Sequence, residues 1–318
     1  MKFQILKYAV IVEDCEDFEP RQILECGQMF RYEIFDDFMM VKSADKIANI
    51  AHFGKKWIIL SQTPKYFADF FDLTTEYSSI KNFLTNDPVI KLTIPYAHGV
   101  RIARADPCEI LFSFVISANN NIPRIKQIIE NLCLLGNNKK FFESVDACDV
   151  KKEILDNVTI SECEMEKFNA FIKTSFDYTY HTFPDIRILS EQSLATFRGF
   201  GVGYRDKYLY NLSRQLIGVD LEEKRKLTTK QLREWLISLS GIGPKVADCA
   251  LLFGFNKTDV FPVDTWVEKI YNKRFFNGVK TRQQISNFFV ERFQEFSGYA
   301  QQYLFYSARS FDLLNDNV

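Results

Sequence analysis

The segment from Leu239 to Cys249 constrains the fold more than any other part of the sequence. Its residues, LSGIGPKVADC, end one helical pattern near Leu239 and begin another at Pro244. Proline is favoured at the first position of a helix, where its missing N–H costs nothing. Gly241 and Gly243 allow positive φ and keep side chains away from the turn. The segment therefore predicts two helices joined by a tight hairpin.

Such a hairpin can bind ions. Backbone N–H groups at the start of a helix bind phosphate, helped by the helix dipole. Carbonyls exposed on the other side of the turn are suitable ligands for a metal cation. A nucleotide-binding P-loop requires the pattern G-x-x-x-x-G-K-[ST]. Here the spacing differs and Val246 follows the lysine, so a P-loop is excluded.

Lys245 is a candidate nucleophile. It lies in the first turn of the second helix, where the helix dipole disfavours another positive charge. Cys249 follows four residues later and is expected on the same helix face. A lysine attacks only as a neutral amine, which such an environment promotes. For this residue alone, a solvated surface lysine is the more common alternative.

Asp264 is a candidate partner of this lysine. The residues from Phe261 to Asp264 lead into a helical pattern at Thr265, so Asp264 is predicted to be an N-cap. A capping carboxylate can also stabilise a cation that develops nearby. A plain helix cap is the alternative interpretation.

The first 62 residues have the pattern of an antiparallel sheet, and the remainder is mainly helical. Turn signals at Asp36-Asp37, Ala44-Asp45 and Gly54 separate predicted strands at 30–35, 38–42, 47–53 and 56–61. Helices are predicted at 64–72, 109–118, 123–134, 164–175, 230–239, 244–255 and 284–306. Strands followed by helices are typical of the α+β class. The predicted domains are 1–95 and 96–318.

Composition bounds the class of protein. The net charge is −1, so the chain as a whole lacks the positive charge that would indicate a nucleic-acid partner. Between residues 197 and 250, ten Lys and Arg against six Asp and Glu leave a surplus of four, which is also typical of solvated helix faces. The seven cysteines include no C-x-x-C pair, which favours a reduced intracellular protein over a disulfide framework or a zinc site. The apolar run at 5–12 contains Lys7 and is too short to span a membrane.

Two of these motifs together resemble a known superfamily. The hairpin with Lys245, followed by Val260-Phe261-Pro262-Val263-Asp264, resembles the helix–hairpin–helix/Gly-Pro-Asp (HhH-GPD) superfamily of DNA glycosylases. More narrowly, nearly the whole chain resembles the 8-oxoguanine DNA glycosylase/AP lyases. The resemblance implies an N-terminal antiparallel β-sheet domain and a helical HhH-GPD core. This core would have two subdomains with the lesion pocket between them and the hairpin at about 237–244. The implied activity is bifunctional base-excision repair.

The resemblance assigns roles to residues near the hairpin. Lys245 would attack C1′ of the damaged nucleotide, and Asp264 would be the catalytic aspartate. The hairpin, with Gly241 and Gly243, would contact the DNA backbone. Around a possible structural cation it would place the carbonyls of Ile237, Leu239 and Ile242. No cofactor is expected to be required.

Four residues would contact the lesion base. Gly27 would offer its carbonyl, Cys249 and Phe305 would pack on the two faces, and Gln301 would contact the pairing edge. Gln301 and Phe305 are four residues apart, as on one face of a helix. Without the family, Phe305 is interpreted as core, Gln301 as surface, and Gly27 as the residue before a strand at Met29.

Two polar loops would contact the opposite strand. Asn119 would fill the gap left by the flipped nucleotide, and Tyr204 would wedge into the base stack. Arg124 and Arg205 would bind the orphaned cytosine. The alternative for the first loop is a polar connection before a helix at Pro123. The glycines at 199–203 are one position short of a dinucleotide-binding pattern.

Trp266 departs from the family pattern, which has a phosphate-contacting histidine at this position. Tryptophan donates one indole N–H but carries no charge. Contact with the DNA backbone at this position is therefore expected to be weaker or differently organised.

The expected partner is double-stranded DNA that contains 8-oxoguanine opposite cytosine, bound by a monomer without membrane contact. The expected location is intracellular: cytoplasmic, at the nucleoid, in a bacterium, or nuclear in a eukaryote. One alternative is a sister glycosylase for another lesion. The iron–sulfur members of that group are disfavoured because no cysteine follows Cys249. The other is a DNA-binding module without catalysis, which would need neither Lys245 nor Asp264.

Overall fold

The structure is a computed structural model that describes residues 1–13, 16–276, 278 and 281–310, without the side chain of residue 310. Cys15 lies outside the described residues, and the six described cysteines have free thiols. No helix within these ranges is both long and apolar enough to cross a membrane.

The N-terminal part is a six-stranded antiparallel sheet, as predicted. The strands are β1 Phe3–Ile5, β2 Ala9–Glu13, β3 Tyr32–Ile34, β4 Met39–Ser43, β5 Lys46–Phe53 and β6 Lys56–Leu60. Their order in the sheet is β1-β2-β6-β5-β4-β3, and β5 pairs with β6 through Ile50 and Ile59. The four predicted strands are confirmed to within two residues at each end, and β1 and β2 extend the sheet.

Both faces of this sheet are buried, so its central strands are apolar on both sides. Val10, Val41 and Ile59 belong to the large core that continues into the helices. The opposite face, with Ile11 and Ile58, packs against aromatic side chains between residues 141 and 180. A segment far along the chain therefore covers the outer face of the sheet. The domain boundary at 95/96 stays a prediction.

The remainder of the described chain is mainly helical, which confirms the α+β class. Short 3₁₀ turns span Glu162–Glu164, Gly203–Arg205 and Gln294–Phe296, and π turns span Ala250–Gly254 and Tyr271–Phe275. A two-stranded sheet joins β7 Asn138–Lys140 to β8 Thr179–His181. The helices are α1 Pro20–Glu25, α2 Pro64–Phe70, α3 Tyr77–Leu84, α4 Pro88–Thr93, α5 Pro107–Ser117, α6 Ile122–Cys133, α7 Ala147–Leu155, α8 Met165–Asp177, α9 Ile186–Glu191, α10 Leu194–Gly199, α11 Asp206–Gln215, α12 Leu221–Lys224, α13 Thr229–Ile237, α14 Pro244–Cys249, α15 Thr265–Ile270, α16 Arg282–Phe293 and α17 Ser297–Ser310.

The prediction of one helix over 284–306 is wrong, because α16 and α17 are separate. Gln294 has φ of 51°, a left-handed conformation that ends α16. Just beyond it, the Gly298 N–H donates to the Thr258 carbonyl at 2.7 Å. A Cβ on Gly298 would lie 2.4 Å from Leu252 Cδ1, so the chain approaches its neighbours too closely for a larger residue. The close packing of Gly298 against Leu252 and Thr258 therefore lies directly after the break between α16 and α17.

Candidate active site

The predicted hairpin joins α13 to α14. The Ile242 N–H donates to the Leu239 carbonyl at 3.2 Å, and Gly241 has φ of 82° at the third position of this turn. Positive φ at that position is typical of a type II turn. A Cβ on Gly241 would lie 2.8 Å from Tyr208 Cβ and 3.1 Å from Val115 Cγ1. Glycine therefore lets the hairpin close onto α5 and α11.

Gly243 has a different reason to be glycine. Its φ of −88° suits any residue, and a Cβ there would have no atom of the described residues within 4 Å, its two chain neighbours aside. The expectation that both glycines use positive φ holds only for Gly241. Because Gly243 is exposed and caps α14, its missing side chain leaves space beside the helix start for a group from outside the protein.

Lys245 lies in the first turn of α14 and is half-buried. Its Nζ is 5.0 Å from the centre of the Phe114 ring, on α5. Burial raises the pKa of the Cys249 thiol to about 11, whereas the charge of Lys245 and a hydrogen bond with its side chain oppose this rise. Cys249 therefore remains a protonated, buried thiol in contact with Lys245 at neutral pH.

Asp264 caps α15, as predicted. Its Oδ1 accepts hydrogen bonds from the backbone N–H groups of Trp266 and Val267, both at 2.9 Å. These two bonds fix the carboxylate at the helix start. Asp264 and Lys245 line the same cavity, so the two predicted catalytic residues are brought together.

This cavity also contains every residue predicted to contact the base. It has a volume of about 40 Å³ and is lined by Cys26, Gly27, Phe114, Lys245, Cys249, Phe253, Pro262, Asp264, Gln301, Gln302 and Phe305. Larger cavities of about 410 and 490 Å³ have entirely different linings, next to Asp106 and Trp57 respectively. The chemically suited residues therefore define the candidate site better than cavity size does.

Gly27 lies in a loop between α1 and β3, and its φ is 76°. A Cβ there would lie 2.9 Å from Cε1 of Phe305, so the ring packs directly on this glycine. Positive φ and this contact each require glycine. The proposed role of its carbonyl is therefore separate from the reason why the residue is glycine.

Gln28 holds the Gly27 loop in place. Its fully buried amide donates to the carbonyls of Ile23 at 2.9 Å and Arg101 at 2.8 Å. Its Oε1 accepts from the Ala103 N–H at 2.8 Å. The bonds to Arg101 and Ala103 tie the loop to a segment more than 70 residues away. Sequence reasoning missed this residue because no local signal shows that a glutamine is buried.

A second group of predicted residues comes together around the loop that follows α5, and we call it the wedge cluster: Asn119, Arg124, Tyr204 and Arg205. Asn119 has φ of 51° in the loop that follows α5, and the Tyr204 hydroxyl is 3.4 Å from the Ala118 carbonyl. Tyr204 is 59% exposed, and Nη2 of the exposed Arg124 lies 3.4 Å from the Gly201 carbonyl. Because α5 also carries Phe114, one helix links the cavity to this cluster.

Arg205 differs from the other members because it is buried, with 4% exposure. Its guanidinium donates to the carbonyls of Ala118, Asn119 and Val202. Those bonds brace the loop that carries Asn119. In this structure Arg205 therefore supports the wedge cluster from below, whereas Arg124 projects from it.

Trp266 is 37% exposed at the start of α15. The ammonium of Lys269 lies 5.1 Å from the centre of its indole ring, within the range of a cation–π contact. A positive charge is thus held beside the position where the family pattern has histidine.

The predicted cation ligands are backbone carbonyls of the hairpin. The Leu239 carbonyl already accepts a hydrogen bond from Ile242 and keeps a second lone pair. Carbonyl oxygens are hard ligands that suit alkali and alkaline-earth cations. Within the described ranges, no three His, Cys, Asp or Glu side chains are grouped as a metal-ligand set.

Other residues of the cavity were missed from the sequence, among them Phe114 and Gln302. Phe114 lies under Lys245 and stacks on Phe253 at 5.6 Å between ring centres. Gln302 follows Gln301 on α17 and donates to its Oε1 at 2.7 Å. The signal for Gln302 was a second amide in an otherwise apolar helical stretch. Adjacent helix positions are not expected to share a face, so this signal was easily overlooked.

Comparisons with known proteins agree with this geometry. A family model described as the N-terminal domain of 8-oxoguanine DNA glycosylase matches residues 10–111. A probable N-glycosylase/DNA lyase of Methanothermobacter thermautotrophicus is 30% identical over 270 residues, 77% of this chain and 74% of that protein. The N-glycosylase/DNA lyase of Saccharomyces cerevisiae is 30% identical over 190 residues, 56% of this chain but 42% of the yeast protein.

A solved structure is similar over almost the full length. It is the 8-oxoguanine glycosylase/lyase of Clostridium acetobutylicum, in complex with double-stranded DNA containing cytosine opposite 8-oxoguanine. The identity is 31%, the TM-score is 0.81, and the match covers 98% of this chain and 99% of that one. The similarity therefore extends over the sheet and the helical part alike.

Proposed function

The chain belongs to the 8-oxoguanine DNA glycosylase/AP lyase family of the HhH-GPD superfamily, and we propose on this basis that it removes 8-oxoguanine from duplex DNA and then cuts the strand. One observation carries the assignment of the site: Lys245 and Asp264, at the starts of two helices, line a single cavity together with Cys249. A DNA-binding module without catalysis has no need of this arrangement.

The proposed reaction begins at Lys245. Its neutral amine attacks C1′, the N-glycosidic bond breaks, and the bonding electrons leave with the base, which takes up a proton. Opening of the sugar ring then gives a Schiff base between Nζ and C1′. Loss of a proton from C2′ allows the C3′–O bond to break, with the phosphate as leaving group. Water then hydrolyses the Schiff base, which breaks the bond between Nζ and C1′ and restores the free amine of Lys245. The products are the free base and a strand cut 3′ to the lesion.

Asp264 is proposed to stabilise the positive charge that develops on the sugar during this attack. The two cap bonds to Oδ1 hold the carboxylate in advance, so the site does not have to reorganise during the reaction. The same carboxylate thus serves both the helix and the chemistry.

A flipped purine requires the cavity to widen. Its volume of about 40 Å³ is far below the roughly 300 Å³ at which ordinary ligand pockets begin. We propose that the half-buried Phe305 ring moves off Gly27 and then packs on one face of the base, opposite Cys249. The uncovered Gly27 carbonyl would accept a hydrogen bond from N7–H of 8-oxoguanine. In guanine, N7 is an acceptor and would leave this carbonyl unpaired, which costs roughly 1–3 kcal/mol.

The wedge cluster is proposed to offset the cost of base flipping, a few kcal/mol. The exposed Tyr204 would enter the base stack and Asn119 the gap. Arg124 and Arg205 would bind O2 and N3 of the orphaned cytosine. Since Arg205 is engaged with loop carbonyls, Arg124 is the more available of the two. Gly241, Gly243 and Trp266 with Lys269 would contact the DNA backbone.

Three further properties are proposals. The carbonyls of Ile237, Leu239 and Ile242 would hold a cation that supports the hairpin against DNA phosphate. The protein would act as a monomer. It would work where the genome lies, at the nucleoid of a bacterium or in the nucleus of a eukaryote.

Borohydride trapping tests the proposed function. The protein is incubated with a duplex that contains 8-oxoguanine opposite cytosine, and borohydride is added to reduce any Schiff base to a stable protein–DNA adduct. The unaltered protein should be trapped, whereas Lys245→Gln should bind the duplex without trapping or cutting. Lys257→Gln, which changes a lysine outside the cavity, is the matched control and should behave as wild type. A Lys245→Gln protein with full cutting activity would refute the mechanism.

A further inference from the structure

Gln301 and Gln302 form a pair of amides in the cavity wall. Neighbouring residues on a helix point about 100° apart, so both seldom line one pocket. Here both line the cavity, with exposures of 4% and 2%, and Gln302 Nε2 donates to Gln301 Oε1 at 2.7 Å. The hydrogen bond therefore brings the two side chains together at the same wall.

One acceptor of this pair is unsatisfied. Gln302 Oε1 is buried and has no hydrogen-bond partner among the described residues. A buried acceptor without a partner is costly, so its presence in a native site needs an explanation. A ligand that supplies an N–H group in this cavity would remove the cost.

The hydrogen-bonding groups of the amide pair are complementary to those of a purine edge. With one amide donating to the other, Gln302 keeps a free carbonyl oxygen and Gln301 keeps a free NH₂ group. If both amides were turned over, Gln301 would keep the carbonyl and Gln302 the NH₂. In either case the pair offers one acceptor and one donor, and Gln302 supplies one of them.

We propose that Gln302 is a second base-contacting residue, which binds the pairing edge of the flipped base together with Gln301. The inference rests on the proposed function, since it takes 8-oxoguanine as the base. That edge presents the O6 acceptor beside the N1–H and N2–H donors. The free carbonyl of the amide pair accepts from the donor side, and the free NH₂ donates to O6. Recognition of the edge thus uses two amides.

The test compares base removal with cutting at an abasic site. Gln302→Met keeps the length of the side chain but removes both hydrogen-bonding atoms. Single-turnover release of 8-oxoguanine opposite cytosine should fall on the order of 10- to 100-fold, because base and Gln301 both lose a partner. Cutting of the same duplex with an abasic site should stay unchanged, since no base is present to be recognised.

Ser307→Ala is the matched control. Ser307 is a buried polar residue of the same helix, and its hydroxyl donates to the Thr93 carbonyl, in contact with α4 and outside the cavity lining. This variant should keep the wild-type ratio of the two activities. Unchanged base removal by Gln302→Met, or an equal fall in both activities, would overturn the inference, the latter because it indicates a merely structural role. Wild-type protein that cuts abasic duplex but leaves 8-oxoguanine intact would instead refute the proposed substrate, and the inference with it.

Discussion

Gly241 and Gly243 offer a matched pair of substitutions in the hairpin, because the fold requires one of them and not the other. Gly241→Ala places a residue with a Cβ at φ of 82°, which costs roughly 1–2 kcal/mol. Its methyl group would also overlap Tyr208 Cβ, 2.8 Å away, and such overpacking costs about 1–3 kcal/mol. The sum is about 2–5 kcal/mol, a large share of a typical folding free energy of roughly 5–15 kcal/mol.

Gly243→Ala should leave stability intact. The φ of −88° is ordinary for alanine, and the new methyl would meet no non-adjacent residue within 4 Å in the part of the chain that the structure describes. Reduced freedom of the unfolded chain stabilises such a variant by about 0.4–1 kcal/mol. Alanine is a poorer N-cap residue than glycine, at a cost on the order of 1 kcal/mol, so the two effects nearly cancel. The same methyl would, however, keep a DNA phosphate away from the start of α14. Loss of one hydrogen bond to a charged group costs roughly 1.5–3 kcal/mol, or about 10- to 150-fold in affinity.

Urea unfolding and fluorescence anisotropy with a lesion duplex measure the two effects. Gly241→Ala should lower the urea midpoint on the order of 1 M or more. Gly243→Ala should keep the midpoint and lose affinity. If Gly243→Ala binds the duplex as tightly as wild type, no DNA backbone approaches the hairpin closely and its proposed role is wrong. If Gly241→Ala is as stable as wild type, the steric reasoning fails.

Three other predictions concern the active site, the wedge cluster and a buried carboxyl. Asp264→Asn should keep its helix cap and urea midpoint, because asparagine caps as well as aspartate, yet excise the base at least tenfold more slowly; an unchanged single-turnover rate would leave Asp264 as a cap alone. Arg124→Ala should narrow the preference for cytosine over adenine opposite the lesion by about 1–3 kcal/mol, and an unmoved ratio of cutting rates would make Arg124 a structural residue. Burial raises the pKa of Glu109 from 4.5 to about 7, against the opposing charge of Arg31. The stabilising contribution of Glu109 is therefore fully present below about pH 4.5. As the pH rises to about 7, this contribution to the free energy of unfolding is lost, on the order of 3 kcal/mol. In Glu109→Gln, the urea midpoint should differ less between pH 5 and pH 8 than it does in the unaltered protein. If the difference is the same in both proteins, Glu109 is not the group that causes the loss.

The sequence alone determined the features that have local signals. The tight hairpin follows from Gly241 and Pro244, and the helix cap follows from Asp264 before Thr265. The alternation of apolar runs and turn residues located four strands of the sheet, and the motifs around Lys245 indicated the family. Each of these signals depends on residues a few positions apart, and the conformations they favour are formed by the backbone of the same segment.

The tertiary structure decided which polar residues are buried and where the chain breaks its own pattern. Gln28 and Arg205 look like surface residues in the sequence, yet each is held by carbonyls more than 70 positions away. The helical period continues through Gln294, but close packing of Gly298 on Leu252 and Thr258 accompanies a break there. Gln302 is a candidate for base recognition only because the fold places both amides in the cavity wall. Whether a polar side chain is buried, and which group it bonds, depends on distant segments that the fold brings together. A local sequence pattern does not contain this information.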